Sequence, residues 1–304
     1  MAVLDQTESP KFHQVRSIFG HGKDRQDAIK RYEFIPTGGM NEVIKQWQDK
    51  QPNRELVAAS PSQITRCPRS IWLELHGVAP LQETTWALKQ RLLLGRLFEN
   101  QFAEELESAG MLLKHWKDDP NEPDQKFHYG APDDPAHFEG TPDYLIALEY
   151  MGSVVTAISD AKTSRSDAFG YVPIEDFEIW TDGGWFKNRM QLVGYYILAH
   201  SNPKWFEERK LPLPDVNHLF TYALDDGVVR REVIWKPTQA DIDLFLKYAR
   251  RFNAAMNATE CPDCTCGESL NGFEIKFCKY GVKEEGKKIC ESCCDDSLIP
   301  VKEG

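Results

Sequence analysis

Residues 137–164 read HFEGTPDYLIALEYMGSVVTAISDAKTS. Two runs, 137–150 and 153–164, alternate along their length and are rich in β-branched or aromatic residues, which is a strand pattern. Met151-Gly152 sits at the turn, so the stretch predicts two adjacent strands. Side chains alternate across a strand, so Asp160 and Lys162 point to the same face. A hairpin can place Asp143, from Gly140-Thr-Pro-Asp143, beside them. Two carboxylates and an ammonium then converge on one point.

The flanks extend this into an α/β pattern. Upstream, SPSQITRCPRSIWLELHG (60–77) predicts a capped helix with Ile71, Trp72 and Leu75 on one face and Gly77 as its stop. Residues 86–109 carry Leu88, Leu92, Leu93, Leu97, Phe98, Phe102 and Leu106 at amphipathic spacing, and Gly110 ends that helix. Residues 118–135 (DDPNEPDQKFHYGAPDDP) are rich in Asp, Pro and Gly and read as loop. Downstream, 185–200 is a helical pattern and 217–236 a hairpin turning at Asp225-Asp226-Gly227. Residues 239–256 form a last helix with Thr238 as N-cap and Asp241 in its first turn. Strand pairs alternating with helices predict an α/β core in which a mixed central sheet is flanked by helices.

Composition narrows the function classes. The chain has 304 residues, 41% hydrophobic and 27% charged, ordinary for a folded protein with a large core. No run approaches the roughly 18 apolar residues of a membrane span, and MAVLDQTESPKFHQ lacks the blocks of a signal peptide. No membrane partner is expected. The net charge of −11 argues against a protein that coats DNA through a basic surface. That charge is concentrated: residues 101–160 hold 3 Lys/Arg against 13 Asp/Glu, which leaves room for a basic groove elsewhere. There is no G-x-G-x-x-G and no G-x4-GK(S/T), so dinucleotide binding and nucleotide hydrolysis have no support.

Seven of the eight cysteines lie between Cys261 and Cys294, spaced C-x2-C-x-C-x11-C-x11-C-x2-CC; the eighth is Cys67. Without a secretion signal the expected compartment is the reducing cytoplasm. There such a cluster reads as metal binding before disulfides.

Two carboxylates beside a lysine have a physical use. Carboxylate oxygens hold a hard divalent cation, Mg²⁺ or Mn²⁺, which polarises a scissile phosphate and acidifies a bound water. The lysine can orient or help deprotonate that water and can neutralise charge building on phosphate. The plain alternative is a surface strand pair with an Asp–Lys ion pair.

In order and spacing these residues resemble the PD-(D/E)xK nuclease superfamily, and within it the RecB-like exonucleases. Asp143 matches the second motif and Asp160-x-Lys162 the third. Leu94-Gly-Arg-Leu-Phe-Glu99 is similar to the helical first motif, G-x-x-x-(H/E), and puts Glu99 in the metal-facing position where many members have His. Gln191-Leu-Val-Gly-Tyr195 matches the Q-x-x-x-Y motif. On a helix Gln191 and Tyr195 share a face, so Gln191 could bond a phosphate or base edge with Tyr195 beside it. The plain alternative is an amphipathic core helix with Gln at its boundary. Arg69 and Arg96 are candidates to line a DNA path, with Arg66, Arg91, Lys187 and Arg189 in the same class. Each taken singly reads as an ordinary surface charge.

Cys67-Pro-Arg69, paired with the C-terminal cluster, resembles the iron–sulfur subgroup of these nucleases, and the resemblance spans about residues 60–295. That subgroup includes CRISPR-adaptation exonucleases and many phage exonucleases. The resemblance implies a [4Fe–4S] cluster on four thiolates, with Cys67 the isolated ligand. Cys278, Cys290 and Cys264 would complete it, with Cys261 or Cys293 possible in place of Cys264. The tail departs from the family's compact C-x2-C-x5-C. Alternatively Cys261-x2-Cys264 and Cys290-x2-Cys293 form a zinc ribbon. Either metal would tie the ends of the chain together.

The expected division is an N-terminal extension of unassigned role (1–59), a nuclease core (60–258) and a cysteine-rich metal-binding tail closing onto Cys67 (259–304). The function that the resemblance implies is metal-dependent hydrolysis of phosphodiester bonds at DNA ends, preferentially single-stranded. A phage or mobile-element recombination or replication setting fits, with proteins of those processes as partners. CRISPR spacer acquisition is a second context. A non-catalytic, metal-braced DNA-binding or scaffold protein is the competing class.

Overall fold

Met151 and Gly152 both take left-handed backbone, with φ of 51° and 75°. A two-residue turn between right-twisted strands requires that conformation at both central positions. The turn is exposed at the end of its hairpin. The structure, a computed structural model, describes residues 58–78, 86–116, 125–164, 183–223, 230–263, 282–284 and 287–289. The chain divides between Arg54 and Glu55, and every described residue belongs to the second unit.

In chain order the elements are α1 (Pro68–Leu75), α2 (Trp86–Ser108), β1 (Leu112–His115), β2 (Phe127–Tyr129), β3 (Phe138–Gly140), β4 (Tyr144–Tyr150), β5 (Ser153–Ser164), α3 (Gly183–Ser201), α4 (Pro203–Glu208), β6 (Val216–Ala223), β7 (Arg230–Trp235), α5 (Gln239–Met256), β8 (Val282–Glu284) and β9 (Lys287–Ile289). Five strands form the central sheet in the order β1-β4-β5-β6-β7. All neighbouring pairs are antiparallel except β5 and β6, which run parallel from Ala157 opposite Val216 to Ser164 opposite Ala223. The molecule is therefore mixed α/β, with a mostly antiparallel sheet flanked by helices. No helix among the described residues is long and apolar enough to cross a membrane.

The two faces of the sheet bury separate clusters. Leu145, Ile158 and Leu219 pack with α3 and α5 through Leu192, Val193, Leu198, Phe245 and Phe252. Tyr144, Ile146, Ala157, Ala161 and Tyr222 face the other way, onto Phe102 and Leu106 of α2. The period-2 alternation of β4 and β5 assigns each residue to one cluster or the other. In α5, Phe245, Ala249, Phe252 and Ala255 recur every three or four residues and form its buried stripe. Its start is fixed by a capping box in which Thr238 and Asp241 satisfy each other's backbone N–H.

Local readings needed three corrections. The helix expected from Ser60 begins at Pro68; Ser60 to Arg66 instead make successive turns, with Gln63 N bonding Ser60 O at 2.9 Å and Arg66 N bonding Gln63 O at 3.0 Å. Proline fits the first helical position and pushes the residue before it to extended backbone, so Cys67, at ψ 129°, cannot lie inside the helix. The strand expected over 137–150 is two strands, broken at Thr141-Pro142-Asp143, because a proline cannot donate to the ladder. Its first part, β3, pairs with β2 in a separate sheet, and β2 lies in the stretch read as loop. The expected turn at Asp225-Asp226-Gly227 lies outside the described residues. The strands on either side of it pair as a hairpin, with His218 opposite Ile234.

Candidate active site

The antiparallel register of β4 and β5 runs residue by residue from Tyr150 opposite Ser153 to Tyr144 opposite Ser159. Asp143 directly precedes Tyr144 and Asp160 directly follows Ser159, so both carboxylates lie at this end of the ladder. The backbone still supports Asp143 beyond the end of β4, since its carbonyl accepts from Trp116 N at 3.1 Å. Asp160 is wholly buried in β5, which lies between β4 and β6 in the sheet. Two residues along the same strand, Lys162 Nζ donates to Asp160 Oδ1 at 2.8 Å and stands 2.6 Å from Oδ2. Oδ2 is buried and has no hydrogen-bond partner, so at that oxygen the contact is an ion pair without hydrogen-bond geometry.

Glu99 is carried by α2, which packs on the other face of the sheet. The Tyr144 hydroxyl donates to the Glu99 carbonyl at 2.8 Å, and the Tyr144 ring meets Phe102 edge-on, with ring centroids 5.4 Å apart. One turn earlier, a Cβ on Gly95 would stand only 3.5 Å from Thr163 Oγ1, so the helix passes close over the end of β5. Two titrating groups feel the resulting charge. Burial alone would lower the pKa of Lys162, but Asp160, then Asp143 and Glu99, outweigh it, and the pKa is raised. The phenol of Tyr144 is also pushed up, first by burial and then by Asp143, Glu99 and Asp160. The same three carboxylates therefore act on both groups. Among the described residues no set of three or more His, Cys, Asp or Glu side chains is gathered so as to hold a metal ion. The arrangement is one of carboxylates acting on an ammonium.

Helix α3 packs over the sheet face that carries Ile158 and, by alternation, Asp160 and Lys162. From Met190 to Ala199 it is buried nearly all round, at every position but Tyr196. Lys187, Asn188, Arg189 and Tyr196 are half-buried and His200 is exposed, so the helix keeps a partly open side. Within it Gln191 and Tyr195, 6% and 7% exposed, bond each other: Gln191 Nε2 donates to Tyr195 Oη at 3.2 Å, one turn apart. Gly194 lies between them because there is no room for a side chain. A Cβ there would come within 2.5 Å of Phe245 Cε2 and 2.9 Å of Pro61 Cβ.

The remaining candidates separate. Arg69 is buried at the start of α1. The side chain of Arg96 lies outside the described residues, as do Cys264, Cys278, Cys290 and Cys293. Cys67 is buried at the N-cap of α1, and Cys261 is half-buried just beyond α5. The two neighbourhoods are tied: Trp72 Nε1, on α1, donates to Ala258 O at 3.0 Å. The paired strands β8 and β9 set Val282 opposite Ile289, between Cys278 and Cys290 in sequence.

Sequence reasoning missed a relay behind the site. Ser159 Oγ lies 2.7 Å from His218 Nδ1, and His218 Nε2 lies 2.7 Å from Glu232 Oε1. It crosses β5, β6 and β7 on the α2 face, where Phe102 stacks on the His218 ring at 6.3 Å. The His218 hydrogen bond holds Glu232 below the usual carboxylate range. Its residues stand 59 and 14 positions apart, so no local pattern announces them. Tyr144 was missed for the same reason, since its partner is 45 residues away.

No family model matches the chain, and no curated protein matches it. A solved structure, that of SSO0001, is similar to it at 16% identity and a TM-score of 0.41, over 79% of this chain and 91% of that one.

Proposed function

We propose that this chain is a metal-dependent deoxyribonuclease with a restriction-endonuclease-like core of the PD-(D/E)xK kind, acting as an exonuclease on DNA ends. One observation carries the reading. Lys162 Nζ donates to the buried Asp160 at 2.8 Å on β5, and Asp143, 17 positions before Asp160, directly precedes the paired strand β4. Oxygen donors of this kind suit Mg²⁺ or Mn²⁺, and both Asp160 oxygens are engaged by Lys162 Nζ, at 2.8 Å and 2.6 Å. The resemblance gives Glu99, Asp143 and Asp160 as the residues that would hold the cation, although among the described residues they are not gathered into such a set. The chemistry it would supply is polarisation of the scissile phosphate and acidification of a water. Lys162, kept charged by its neighbours, donates to a phosphate oxygen or to the attacking water and offsets negative charge as it builds. Gln191 and Tyr195 orient the strand from α3, with Tyr195 held by Gln191. Arg69 and Arg96 lie on the path by resemblance. The cysteine tail is read as a [4Fe–4S] site closing onto Cys67, with zinc as the alternative. The Trp72–Ala258 bond supports the closure, because it brings the chain to α1 three residues before Cys261.

The test uses anaerobically purified protein and end-labelled single- and double-stranded DNA, with Mg²⁺, Mn²⁺ or chelator, and Lys162→Ala alongside. Metal-dependent trimming by the wild type alone is expected, and the label lost first gives the polarity. DNA retention without cleavage by a folded, fully metallated protein leaves the DNA-binding scaffold instead.

A further inference from the structure

We propose that the outer face of α5 is a nucleic-acid surface, on which Lys247, Arg250 and Arg251 hold the phosphate backbone of a DNA strand outside the carboxylate–lysine site. This rests on the reading of DNA as substrate and says where the strand is held.

The sides of α5 differ in charge as well as in burial. Phe245, Ala249, Phe252 and Ala255 are buried, while Lys247 and Arg250 are exposed and Arg251 is half-buried. Positions i, i+3 and i+4 share one side of a helix, so the three cations form one strip. No Asp or Glu stands between Asp243 and Glu260, and α3, which packs on α5, has none from Gly183 to Ser201. A solvated basic helix face is ordinarily laced with acids one turn away. Here Asp243, one turn before Lys247, accepts from Gln239 Nε2 at 2.9 Å, and Ala254 and Ala255 stand one turn after Arg250 and Arg251. Arg189 of α3 differs, because Asp241 pairs with it. An aromatic ring positions Arg251. Its guanidinium carbon lies 4.5 Å from the centre of the Tyr248 ring, which packs on Phe186 of α3 with ring centroids 5.9 Å apart. A guanidinium laid on a ring is pre-organised and keeps N–H donors at its edge for an anion. In a chain of net charge −11, three cations without acidic neighbours on their own helix make a local positive field, which a phosphate backbone complements. The apolar stripe of α5 is buried in the core, so the helix has no hydrophobic face with which to enter a membrane, and this favours nucleic acid over lipid.

The surface is read by fluorescence anisotropy of labelled oligothymidine on the full chain, purified anaerobically and held in chelator so that nothing is cut. Wild type is compared with Lys247→Gln/Arg250→Gln, two exposed positions that leave the Arg251–Tyr248 contact in place. The control is Lys204→Gln/Lys210→Gln, which removes the same charge from exposed positions in and just beyond α4. The α5 pair is expected to weaken binding about tenfold and to lower the salt slope of log K by about 1.4, at about 0.7 per phosphate contact on a single strand, while the control stays within about twofold of wild type. Equal losses in both pairs, or none in the α5 pair, overturn the surface and leave the nuclease reading standing on its own assay. Wild type that binds no oligothymidine overturns it as well. Binding lost in the α5 pair, with no cleavage by wild type in Mg²⁺ or Mn²⁺, supports the surface while the nuclease reading falls. Vesicles of phosphatidylserine and phosphatidylcholine are the second probe: if the α5 pair loses vesicles but not DNA, the occupant is a membrane and the proposal is wrong. Should the α5 pair not fold, Lys247→Gln alone is read, with an expected loss in slope of about 0.7.

Discussion

The Tyr144 hydroxyl donates to the main-chain carbonyl of Glu99 at 2.8 Å. The bond joins a helix bearing one carboxylate to the strand residue that follows another, Asp143. It fixes a spacing that neither element sets alone. Tyr144→Phe keeps the buried ring and removes the tie. It is expected to cost about 1 kcal/mol, which lowers the melting temperature by roughly 2–4 °C at this size. Calorimetry on the purified pair checks this, and an unchanged melting temperature would show that the bond contributes nothing.

Gly194 sits where α3 meets Phe245 and Pro61. Gly194→Ala forces a methyl group against the buried Phe245 ring and Pro61 and is expected to destabilise by about 1–3 kcal/mol, despite alanine's better helix propensity. Denaturant unfolding decides the sign. A stabilised variant would mean that the packing around Pro61 is looser than described.

Glu232 titrates below the ordinary carboxylate range because His218 hydrogen-bonds it. A lowered folded pKa contributes stability above the unfolded pKa and loses it as pH falls through the folded value. Glu232→Gln is therefore expected to melt below wild type at neutral pH, with the gap closing below about pH 4. Melting curves across that range test it, and a gap independent of pH would contradict the linkage.

Lys162 carries the opposite sign. Its raised folded pKa means that its pairing is complete below the ordinary lysine value and is lost only as pH climbs through the folded one. The stability difference between wild type and Lys162→Met should hold steady from about pH 7 to 10 and shrink above that. A difference that fades already near neutral pH would show that the ammonium is not held by these carboxylates.

Metal in the tail is expected to stabilise the packing of α1 on α5. Cys67→Ala should lose iron, or zinc if the ribbon is correct, and lower the melting temperature of protein purified without oxygen. Metal analysis of the variant beside wild type gives the answer; full metal content in Cys67→Ala would remove that residue from the ligand set.

Asp160 and Lys162 share a face because two residues along a strand always do, and Gln191 and Tyr195 meet because four along a helix do. Met151-Gly152 marks the hairpin, and the hairpin register brings Asp143 and Asp160 to the same end of the ladder. These relations are short in sequence, so periodicity and turn chemistry determine them without the rest of the molecule. Pro68 was local too, and it, rather than the upstream Ser60, sets where α1 begins. The presence of Glu99 beside Tyr144, the relay from Ser159 through His218 to Glu232, and the closure of α3 over β5 are of another kind. They join residues from separate elements through side-chain packing, and no period in the chain encodes which helix lies on which face. The tertiary structure alone decided them, because burying the apolar stripes of α2, α3 and α5 on opposite faces of one sheet is what brings those side chains within reach of one another.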